Sequence, residues 1–503
     1  MKGKGVKSMH YISTRNDMQS CSAAEAIVQG LAPDGGLLTP EVFPRLPDGA
    51  VNALKEMSYQ QRAVYVMNLF LEGFTVAELT RFANAAYGPE RFDCKEVAPL
   101  HFLGDGVSCL ELWHGPTCAF KDMALQMLPY LLTASLAKNR EQKDVCILVA
   151  TSGDTGKAAL EGFRDVDRTK ILVFYPKNGV SEIQELQMIT QLGKNVGVCA
   201  VEGNFDDAQT GVKQIFSDKI IREELAAEGH FLSSANSINW GRLLPQIVYY
   251  VSAYVDLVKH EKIKVGDIIN VCVPTGNFGN ILAAYYAKQM GLPIGRLICA
   301  SNQNNVLTDF IKTGVYDRNR PFHQTISPSM DILISSNLER LLYALADGKS
   351  EEVREYMEAL KQQGSYRVRP ELFQKIENLF YAGFCDDETT KKTIRQVWTG
   401  AKYLIDPHTA VAVHVLAQYR AETLDKTPTV VVSTASPFKF CDSVLSALGQ
   451  TNLKKGTERI DQLAQLTGVA APLPLARLKN SAVRFQDCVS REGMTEKVLE
   501  FIR

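Results

Sequence analysis

The sequence predicts an α/β fold built on a mainly parallel sheet. Apolar, β-branched runs recur along the chain, a turn rich in Gly, Ser and Thr follows several of them, and a helical run comes next. Strands that alternate with helices in this way form βαβ units, whose strands pair in parallel. Ligands bind beyond the carboxyl ends of such strands, so these turns are where a functional site is expected.

Length and charge limit the possible functions. The chain has 503 residues, which at ~150 residues per domain suggests about three domains. With 55 basic and 56 acidic residues the net charge is −1, so no nucleic-acid or membrane surface is indicated. No window approaches the ~20 apolar residues of a membrane span. An anionic ligand must therefore be held by a local site.

Cysteine and histidine usage predicts a cytoplasmic protein without a metal. The 11 cysteines form no CxxC pair, which favours reduced thiols over disulfides, and the 8 histidines show no metal-ligand spacing. The chain opens with a basic stretch that has no apolar core, so it is not a secretory signal. Met9 is a candidate natural start, with residues 1–8 as a disordered extension.

The first hundred residues predict a mainly helical N-terminal domain, 1–100. Helical spacing of apolar residues occurs at 23–29 and across 62–82, and a Pro- and Gly-rich stretch at 33–47 separates the two.

The strand-and-helix pattern then predicts two α/β domains, 101–230 and 231–503. The expected strands lie at 145–150, 171–175, 196–201, 268–273, 297–300 and 430–432, with helices starting near 157 and 438 and others ending near 216 and 290. Opposite charges at helical spacing, such as Glu351 with Arg354 and Glu388 with Lys392, predict a helical insertion at 337–400.

The most informative stretch is Leu-Trp-His-Gly-Pro-Thr-Cys-Ala-Phe-Lys-Asp, residues 112–122. It places Lys121 after a Gly-Pro turn and before an apolar helix that starts near Met123. A lysine held there between Phe120 and Asp122 can be desolvated, which lowers its pKa and frees its lone pair for a Schiff base. Taken alone, the stretch is as well explained by a solvated lysine at a helix start.

Two Gly-rich turns are candidate anion sites. Gly276-Asn277-Phe278-Gly279-Asn280 follows a strand and opens a helix, which is typical of a phosphate site and also of a plain tight turn. Ser152-Gly153-Asp154-Thr155-Gly156 offers backbone amides and two hydroxyls to a carboxylate, while helix capping by Ser152 or Asp154 is the alternative.

Three further groups have both a functional and a structural interpretation. Ser433 and Thr434 end a strand and could bond a ring nitrogen or cap the next helix. Asn236, Ser237 and Arg242 could hold a phosphate monoester, or Arg242 could form a surface ion pair. His408 lies in an Asp-Pro-His helix start that capping by Asp406 explains.

Together these motifs resemble a fold type II pyridoxal-5′-phosphate enzyme and, in detail, the threonine synthase family. The resemblance is carried by blocks in a matching order over nearly the whole chain. They are HYISTR at 10–15, WHGPT…FKD at 113–122, SGDTG at 152–156, GNFGN at 276–280, SPSMD at 327–331 and DPHTA at 406–410.

The resemblance implies a tryptophan synthase β-like fold and a role for each candidate residue. Lys121 would carry the cofactor as a Schiff base and then act as general acid and base. The cofactor phosphate would bind at the turn of Gly276, Asn277, Phe278, Gly279 and Asn280, and Thr434 would face the pyridine nitrogen. Ser152, Gly153 and Thr155 would hold the substrate carboxylate, with Asp154 near the cofactor 3′-oxygen. Asn236, Ser237 and Arg242 are the candidates for the substrate phosphate; Asp331 has no assigned role.

The implied reaction converts O-phospho-L-homoserine and water to L-threonine and phosphate. Two other functions are compatible with the same candidate residues. One is a threonine-synthase-like phospho-lyase that releases 2-oxobutyrate, and the other is a non-catalytic relative that acts as a binding protein. The sequence leaves the choice between a homodimer and a monomer open.

Overall fold

A computed structural model of the chain describes residues 9–503. The predicted basic extension, 1–8, lies outside the described residues. Among the described residues no helix combines the length and the apolar character that crossing a membrane requires.

The N-terminal region holds a small antiparallel sheet beside its helices. Its elements are β1 (Tyr11–Ser13), β2 (Asn16–Cys21), α1 (Ala23–Gln29), β3 (Leu38–Pro40), α2 (Ala50–Lys55), α3 (Tyr59–Asn68) and α4 (Val76–Tyr87). Capping boxes begin α1, α3 and α4, which explains why these helices start where the sequence places Ser22, Ser58 and Thr75. The sheet, in the order β2-β1-β3, was not predicted from the sequence.

The middle of the chain alternates strands and helices. The elements are β4 (Leu100–Gly104), β5 (Val107–Glu111), α5 (Asp122–Leu125), α6 (Leu128–Lys138), β6 (Asp144–Ala150), α7 (Asp154–Phe163), β7 (Thr169–Pro176), α8 (Glu182–Ile189), β8 (Val196–Val201), α9 (Phe205–Ser217), α10 (Lys219–Ala227) and β9 (His230–Ser233). Helix α7 begins three residues before the predicted start near 157.

The rest of the chain continues this alternation. Its elements are α11 (Trp240–Lys259), β10 (Ile269–Pro274), α12 (Gly279–Gln289), β11 (Ile294–Ser301), α13 (Val306–Thr313), β12 (Val315–Asp317), α14 (Leu338–Leu345), α15 (Ser350–Gln363), β13 (Ser365–Arg367), α16 (Pro370–Leu379), β14 (Phe380–Phe384), α17 (Asp387–Ala401), α18 (Pro407–Thr423), β15 (Thr429–Ser433), α19 (Cys441–Ala447), α20 (Glu458–Thr467), α21 (Leu473–Ala476), β16 (Cys488–Val489) and α22 (Met494–Ile502). A 3-10 turn, Pro437–Phe440, precedes α19 and displaces its start from the predicted 438.

Two larger sheets form the centre of the molecule. One has six strands in the order β14-β11-β10-β15-β5-β4, parallel except for the antiparallel pair β4 and β5. The other has five parallel strands in the order β16-β8-β7-β6-β9. Strands β8, β10 and β15 are fully buried, and β6 and β7 are buried except for one residue each, as an interior parallel sheet requires.

The two large sheets do not coincide with the chain ranges 101–230 and 231–503 that the sequence predicts as domains. The hairpin β4–β5 lies in the six-stranded sheet although it belongs to the predicted first α/β domain. At the other end of the chain, β16 joins the five-stranded sheet, and α22 packs on that sheet. The segment 337–400 is mainly helical as predicted, but it also supplies β14 to the six-stranded sheet.

Candidate active site

Loops at the carboxyl ends of β6, β10 and β15 meet between the two large sheets. The loop after β15 is joined to the segment before α5, because the Phe120 N–H donates to the Thr434 carbonyl at 2.8 Å and Ala119 bridges Ala435. The same loop reaches the turn after β6 through an ion pair between Lys439 and Asp154, 2.8 Å long. The expected site at strand ends is thus a single cleft.

Lys121 lies in this cleft and is not a solvated surface lysine. Its Nζ atom is 4.7 Å from the centre of the Phe120 ring and 3.5 Å from the Ser329 hydroxyl. Burial lowers the pKa of Lys121 to about 8, with the cations Arg242 and Lys439 acting in the same direction and Asp154 opposing them. About a tenth of an amine with this pKa is neutral at pH 7, a far larger share than for an ordinary lysine, and the neutral form is the one that attacks a carbonyl carbon.

Asp122 shapes the turn that presents Lys121. Its carboxylate accepts hydrogen bonds from the Thr117 N–H at 2.8 Å and the Thr117 hydroxyl at 2.7 Å. Burial raises the pKa of Asp122 to about 6. A Cβ atom on Gly115 would lie 2.6 Å from the Asp122 side chain, so glycine is required for this close approach.

Neither Ser152 nor Asp154 caps helix α7, although the sequence allowed that interpretation. Helix α7 has Gly153 as its N-cap, at φ +134° and without a side-chain cap, because the Thr151 hydroxyl instead accepts the Gly153 and Gly156 N–H groups at 3.0 and 2.9 Å. Within the described chain the hydroxyls of Ser152 and Thr155 make no hydrogen bond and are partly exposed. They are free for a ligand.

One carboxylate oxygen of Asp154 is engaged by two protein groups. Its Oδ1 atom accepts from Lys439 Nζ at 2.8 Å and from Gln184 Nε2 at 2.9 Å, and all but 3% of its side chain is buried. Burial alone would raise the pKa of Asp154, but the charges of Lys439 and Lys121 hold it well below its usual range. Asp154 is therefore a permanent anion next to Lys121.

The turn 276–280 has the form of an anion cradle. Helix α12 begins at Gly279, after Phe278 in the left-handed region at φ +63°. Within residues 9–503 the N–H groups of 276–279 have no backbone acceptor, while the Gly276 and Asn277 carbonyls are bound by Ser335 and Asn337. The N–H groups are left for an anion at a helix N-terminus.

Gly276 and Asn280 complete the cradle. A Cβ atom on Gly276 would lie 2.4 Å from the Ser329 carbonyl oxygen, so any other residue would displace the loop above it. The Asn280 carboxamide oxygen accepts from Tyr249 at 2.8 Å and from Tyr250, while its buried Nδ2 group has no partner in the described structure.

Arg242 is not a surface arginine. It is 2% exposed, donates to the Ala235 carbonyl, and pairs with no carboxylate of residues 9–503. Its Nε atom is buried without an acceptor, and burial lowers its pKa to about 10. A buried guanidinium without a counter-ion is costly unless an anionic ligand compensates it.

Ser237 connects the loop before α11 to the turn 276–280 through the Asn337 side chain. The Asn337 side chain donates to the Ser237 hydroxyl at 3.2 Å and to the Asn277 carbonyl at 3.1 Å. Asn236 is partly buried in the same loop, and its N–H donates to the Ser234 hydroxyl. The candidates at 236, 237 and 242 thus lie near the cradle and near Lys121.

The two strand-end hydroxyls are distinguished by their partners. The Ser433 hydroxyl is occupied by Trp113 Nε1 and the Thr409 hydroxyl, both at 3.1 Å. The Thr434 hydroxyl makes no hydrogen bond within the described part of the chain and is free to meet a ring nitrogen. Neither residue caps a helix, since Ser436 caps the 3-10 turn that follows.

His408 contacts the loop above the cradle, which the sequence interpretation undervalued. Its Nδ1 atom lies 2.6 Å from Asp406 Oδ2, and its Nε2 atom accepts the Ser329 N–H at 3.1 Å. Because Nε2 accepts, the Nδ1 nitrogen is the one that carries a proton toward Asp406. The DPHTA and SPSMD blocks, which lie some eighty residues apart, were the available signals for this contact.

Asp331 holds the same loop from below. One carboxylate oxygen accepts from Asn302 at 2.7 Å, Asn304 at 3.0 Å and the Thr325 hydroxyl at 2.7 Å, and the other accepts the Thr325 N–H at 2.9 Å. The loop carries Ser329 over both Gly276 and Lys121.

The residues of the cleft fit pyridoxal 5′-phosphate. An amine of lowered pKa, a Gly-rich turn with unpaired N–H groups and a free strand-end hydroxyl match its aldehyde, phosphate and ring nitrogen. The buried, unpaired guanidinium of Arg242 remains for a second anion. No group of three or more potential metal ligands occurs among residues 9–503.

Sequence models of three families match successive parts of the chain. They are "Threonine synthase N terminus" over residues 10–87, "Pyridoxal-phosphate dependent enzyme" over residues 96–371, and "Threonine synthase, C-terminal" over residues 409–488.

Individual relatives agree with these matches. The chain is 42% identical to threonine synthase-like 1 from Homo sapiens, over 93% of this chain and 64% of that protein, so it spans about two thirds of that relative's length. It is 41% identical to threonine synthase from Pseudomonas aeruginosa, over 88% of this chain and 91% of that one. The crystal structure of PLP-bound threonine synthase from Brucella melitensis superposes with a TM-score of 0.87 at 37% identity, covering 99% of this chain and 100% of that one.

Proposed function

Because this chain belongs to the threonine synthase family of pyridoxal-phosphate-dependent enzymes, we propose that it converts O-phospho-L-homoserine and water to L-threonine and phosphate. This carbon–oxygen lyase reaction would complete threonine biosynthesis. The observation that carries the proposal is Arg242, a buried cation that lacks a carboxylate partner in the described structure and lies close enough to Lys121 to lower its pKa. A substrate with a phosphate beyond the amino-acid carbons would supply the missing anion.

The cofactor supplies an electron sink, when it is bound, for the removal of protons from substrate carbons. Lys121 would hold the cofactor through its amine, and the same amine is the group placed to accept and return those protons. Its pKa of about 8 suits both tasks near neutral pH. The Ser329 hydroxyl, 3.5 Å from Lys121 Nζ, orients the amine.

The remaining residues hold three anionic groups apart. The N–H groups at 276–279 bind the cofactor phosphate, and the Thr434 hydroxyl meets the pyridine nitrogen. The substrate carboxylate binds at the turn of Ser152, Gly153 and Thr155, where the hydroxyls of Ser152 and Thr155 are free and the Gly153 N–H is held by Thr151. The substrate phosphate binds Arg242 with Asn236 and Ser237, which positions Cγ for loss of phosphate and Cβ for addition of water.

A second candidate function keeps the elimination and omits the addition of water. Such a phospho-lyase would release phosphate and an enamine, which water would hydrolyse to 2-oxobutyrate and ammonia without adding to Cβ. The relatives named threonine synthase-like 1, which are 42% identical to this chain, are named for a likeness and not for a reaction, so this second function is tested beside the first. Lys121, the phosphate turn and Arg242 would serve both reactions, so the product must decide between them.

The test is to incubate the cofactor-loaded protein with O-phospho-L-homoserine and to measure phosphate, threonine and 2-oxobutyrate together. We expect equal amounts of phosphate and threonine. 2-Oxobutyrate as the main product would favour the phospho-lyase. Release of no phosphate would favour a non-catalytic binding protein. Lys121→Ala should release none, whereas Lys138→Ala, at a partly exposed ion pair with Glu78, should react as the wild type does.

The 11 cysteines are all free thiols, which supports a reducing compartment, the cytoplasm, as the place of action.

A further inference from the structure

Lys439 forms a buried ion pair across the two large sheets. Its side chain is fully buried, and its Nζ atom lies 2.8 Å from Asp154 Oδ1 and donates to the Thr117 carbonyl at 2.8 Å. Lys439 follows β15 of the six-stranded sheet, whereas Asp154 follows β6 of the five-stranded sheet. Neither the proposed reaction nor the sequence motifs assign Lys439 a role.

The negative charge of Asp154 lies where it would repel an anionic ligand. Asp154 is the first residue of α7 and the centre of the turn 152–156. A helix N-terminus attracts anions, and an aspartate in its first turn occupies that field and repels a second carboxylate. Gln184, its other partner at 2.9 Å, is neutral and cannot cancel the charge.

Few cations are available to offset Asp154. Lys121 lowers the pKa of Asp154, but its amine is the group that would hold the cofactor and then leave it. Arg242 lies near Lys121 and is the candidate for the substrate phosphate. Lys439 is therefore the fixed counter-charge that stays in place throughout a turnover.

We propose that Lys439 is a positioning residue for carboxylate recognition: by neutralising Asp154 it lets the turn 152–156 accept the α-carboxylate of an amino acid. The proposal rests on the proposed function of that turn. It assigns Lys439 no contact with the substrate. It predicts that Lys439 is needed because residue 154 is charged, and that it becomes dispensable for carboxylate binding when residue 154 is neutral.

The test compares two amines that differ by one carboxylate. L-Norvaline and n-butylamine can both react with the bound cofactor, and only norvaline presents a carboxylate to the turn. Their apparent Kd values are measured from the visible absorbance of the cofactor-loaded protein. The ratio of the two values reports carboxylate recognition and cancels changes in the cofactor itself.

Four proteins are compared: the wild type, Lys439→Met, Asp154→Asn and the double variant. In Lys439→Met we expect the preference for norvaline to fall about tenfold or more, because an uncompensated buried carboxylate faces the ligand. In Asp154→Asn the preference should be kept or rise, because the unpaired Lys439 cation attracts the carboxylate, and in Asp154→Asn/Lys439→Met it should stay within about threefold of the wild type.

An unchanged preference in Lys439→Met would overturn the proposal. So would a double variant no better than Lys439→Met. If Lys439→Met does not fold, the other two variants still decide, because a tenfold loss of preference in either contradicts neutralisation as the role of Lys439. Neither probe carries a phosphate, so a failure of the wild type to make threonine would count against the proposed reaction and leave this test intact.

Discussion

Arg242 and Arg340 are both buried, but they differ in whether the protein satisfies their hydrogen-bond donors. Burial lowers the pKa of each to about 10. Every nitrogen of Arg340 has an acceptor, including the Leu38 carbonyl at 2.9 and 3.0 Å, whereas Nε of Arg242 has none in the described structure. A satisfied guanidinium stabilises the fold, and an unsatisfied one indicates a ligand.

Arg242→Met and Arg340→Met are therefore a matched pair. We expect Arg242→Met to change the free energy of unfolding of the ligand-free protein by less than about 1 kcal/mol and to raise KM for O-phospho-L-homoserine about 100-fold. Arg340→Met should cost about 3 kcal/mol of stability, because it leaves buried carbonyls unpaired. Urea unfolding and steady-state kinetics measure the two effects. A destabilised Arg242→Met with normal KM would contradict the phosphate assignment.

At the scale of an element, the loop 325–331 is ordered by side chains from outside it. Asn302 and Asn304 hold its base by donating to Asp331, the last residue of the loop, and the His408 ring accepts the Ser329 N–H next to Gly276. This loop packs against the turn 276–280. We therefore expect the affinity for the cofactor to depend on how well the loop is ordered.

Asp331→Asn tests this dependence. Asparagine keeps only one accepting oxygen, so its NH2 group must face either the Thr325 N–H or the donors from Asn302 and Asn304. We therefore expect the loop to loosen and cofactor affinity to fall about tenfold or more. Absorbance titration of the cofactor-free protein with pyridoxal phosphate measures the change. Asp309→Asn, which alters a half-exposed ion pair with Arg320, should leave the affinity within about twofold. Equal effects of the two variants would refute the role of the loop.

His114 joins the segment before α5 to β5 and to the chain after α4. Its ring nitrogens lie 2.7 Å from Asp93 and 2.8 Å from Glu111. Burial alone would lower the pKa of His114, but these two carboxylates outweigh burial and raise the pKa to about 9. His114 is thus a cation at neutral pH.

This raised pKa predicts a pH dependence of stability. Since the pKa is higher in the folded state, the contribution is complete below pH ~6.5 and is lost as pH rises through about 9. We expect it to be about 2–3 kcal/mol, reduced by the half-exposed Asp93. The free energy of unfolding of the wild type minus that of His114→Gln, measured by urea from pH 6 to 10, should fall by this amount. Exposed His323→Gln is the control and should give a flat difference.

At the scale of the whole molecule, an early strand of the α/β region lies in the sheet that is formed mainly later in the chain, and its last strand lies in the sheet that is formed earlier. Strand β5 enters the six-stranded sheet before the five-stranded sheet begins, and β16 returns to the five-stranded sheet after the six-stranded one is complete. We propose that the two cofactor-binding domains are these sheets with their helices, and not the contiguous ranges 101–230 and 231–503.

The C-terminal helix should therefore stabilise a domain that lies far from it in sequence. Met494 in α22 is fully buried and contacts Gly211 of α9, where an added Cβ atom would meet its sulfur. We expect Met494→Ala to cost about 2–4 kcal/mol in urea unfolding and to speed proteolysis within 144–233. Exposed Glu496→Ala in the same helix should change neither. Proteolysis confined to residues after 485 would contradict the shared domain.

By itself the sequence determined the fold class, the buried strands and Lys121 with its Gly-rich turns. These depend on local patterns, because alternation of strands and helices and the chemistry of turns are written in neighbouring residues. The family resemblance joined the turns into one site. The N-terminal sheet escaped prediction, since its strands are short and their pairing is not local.

Only the tertiary structure decided which explanation of each residue holds. It buried Arg242 without a counter-ion, occupied Ser433 while leaving Thr434 free, and brought His408 to Ser329 and Lys439 to Asp154. The last two contacts join residues that lie 79 and 285 positions apart, and no local pattern encodes such a distance. Burial and pairing set the pKa values and the free hydrogen-bonding groups, so the chemistry of the site follows from packing.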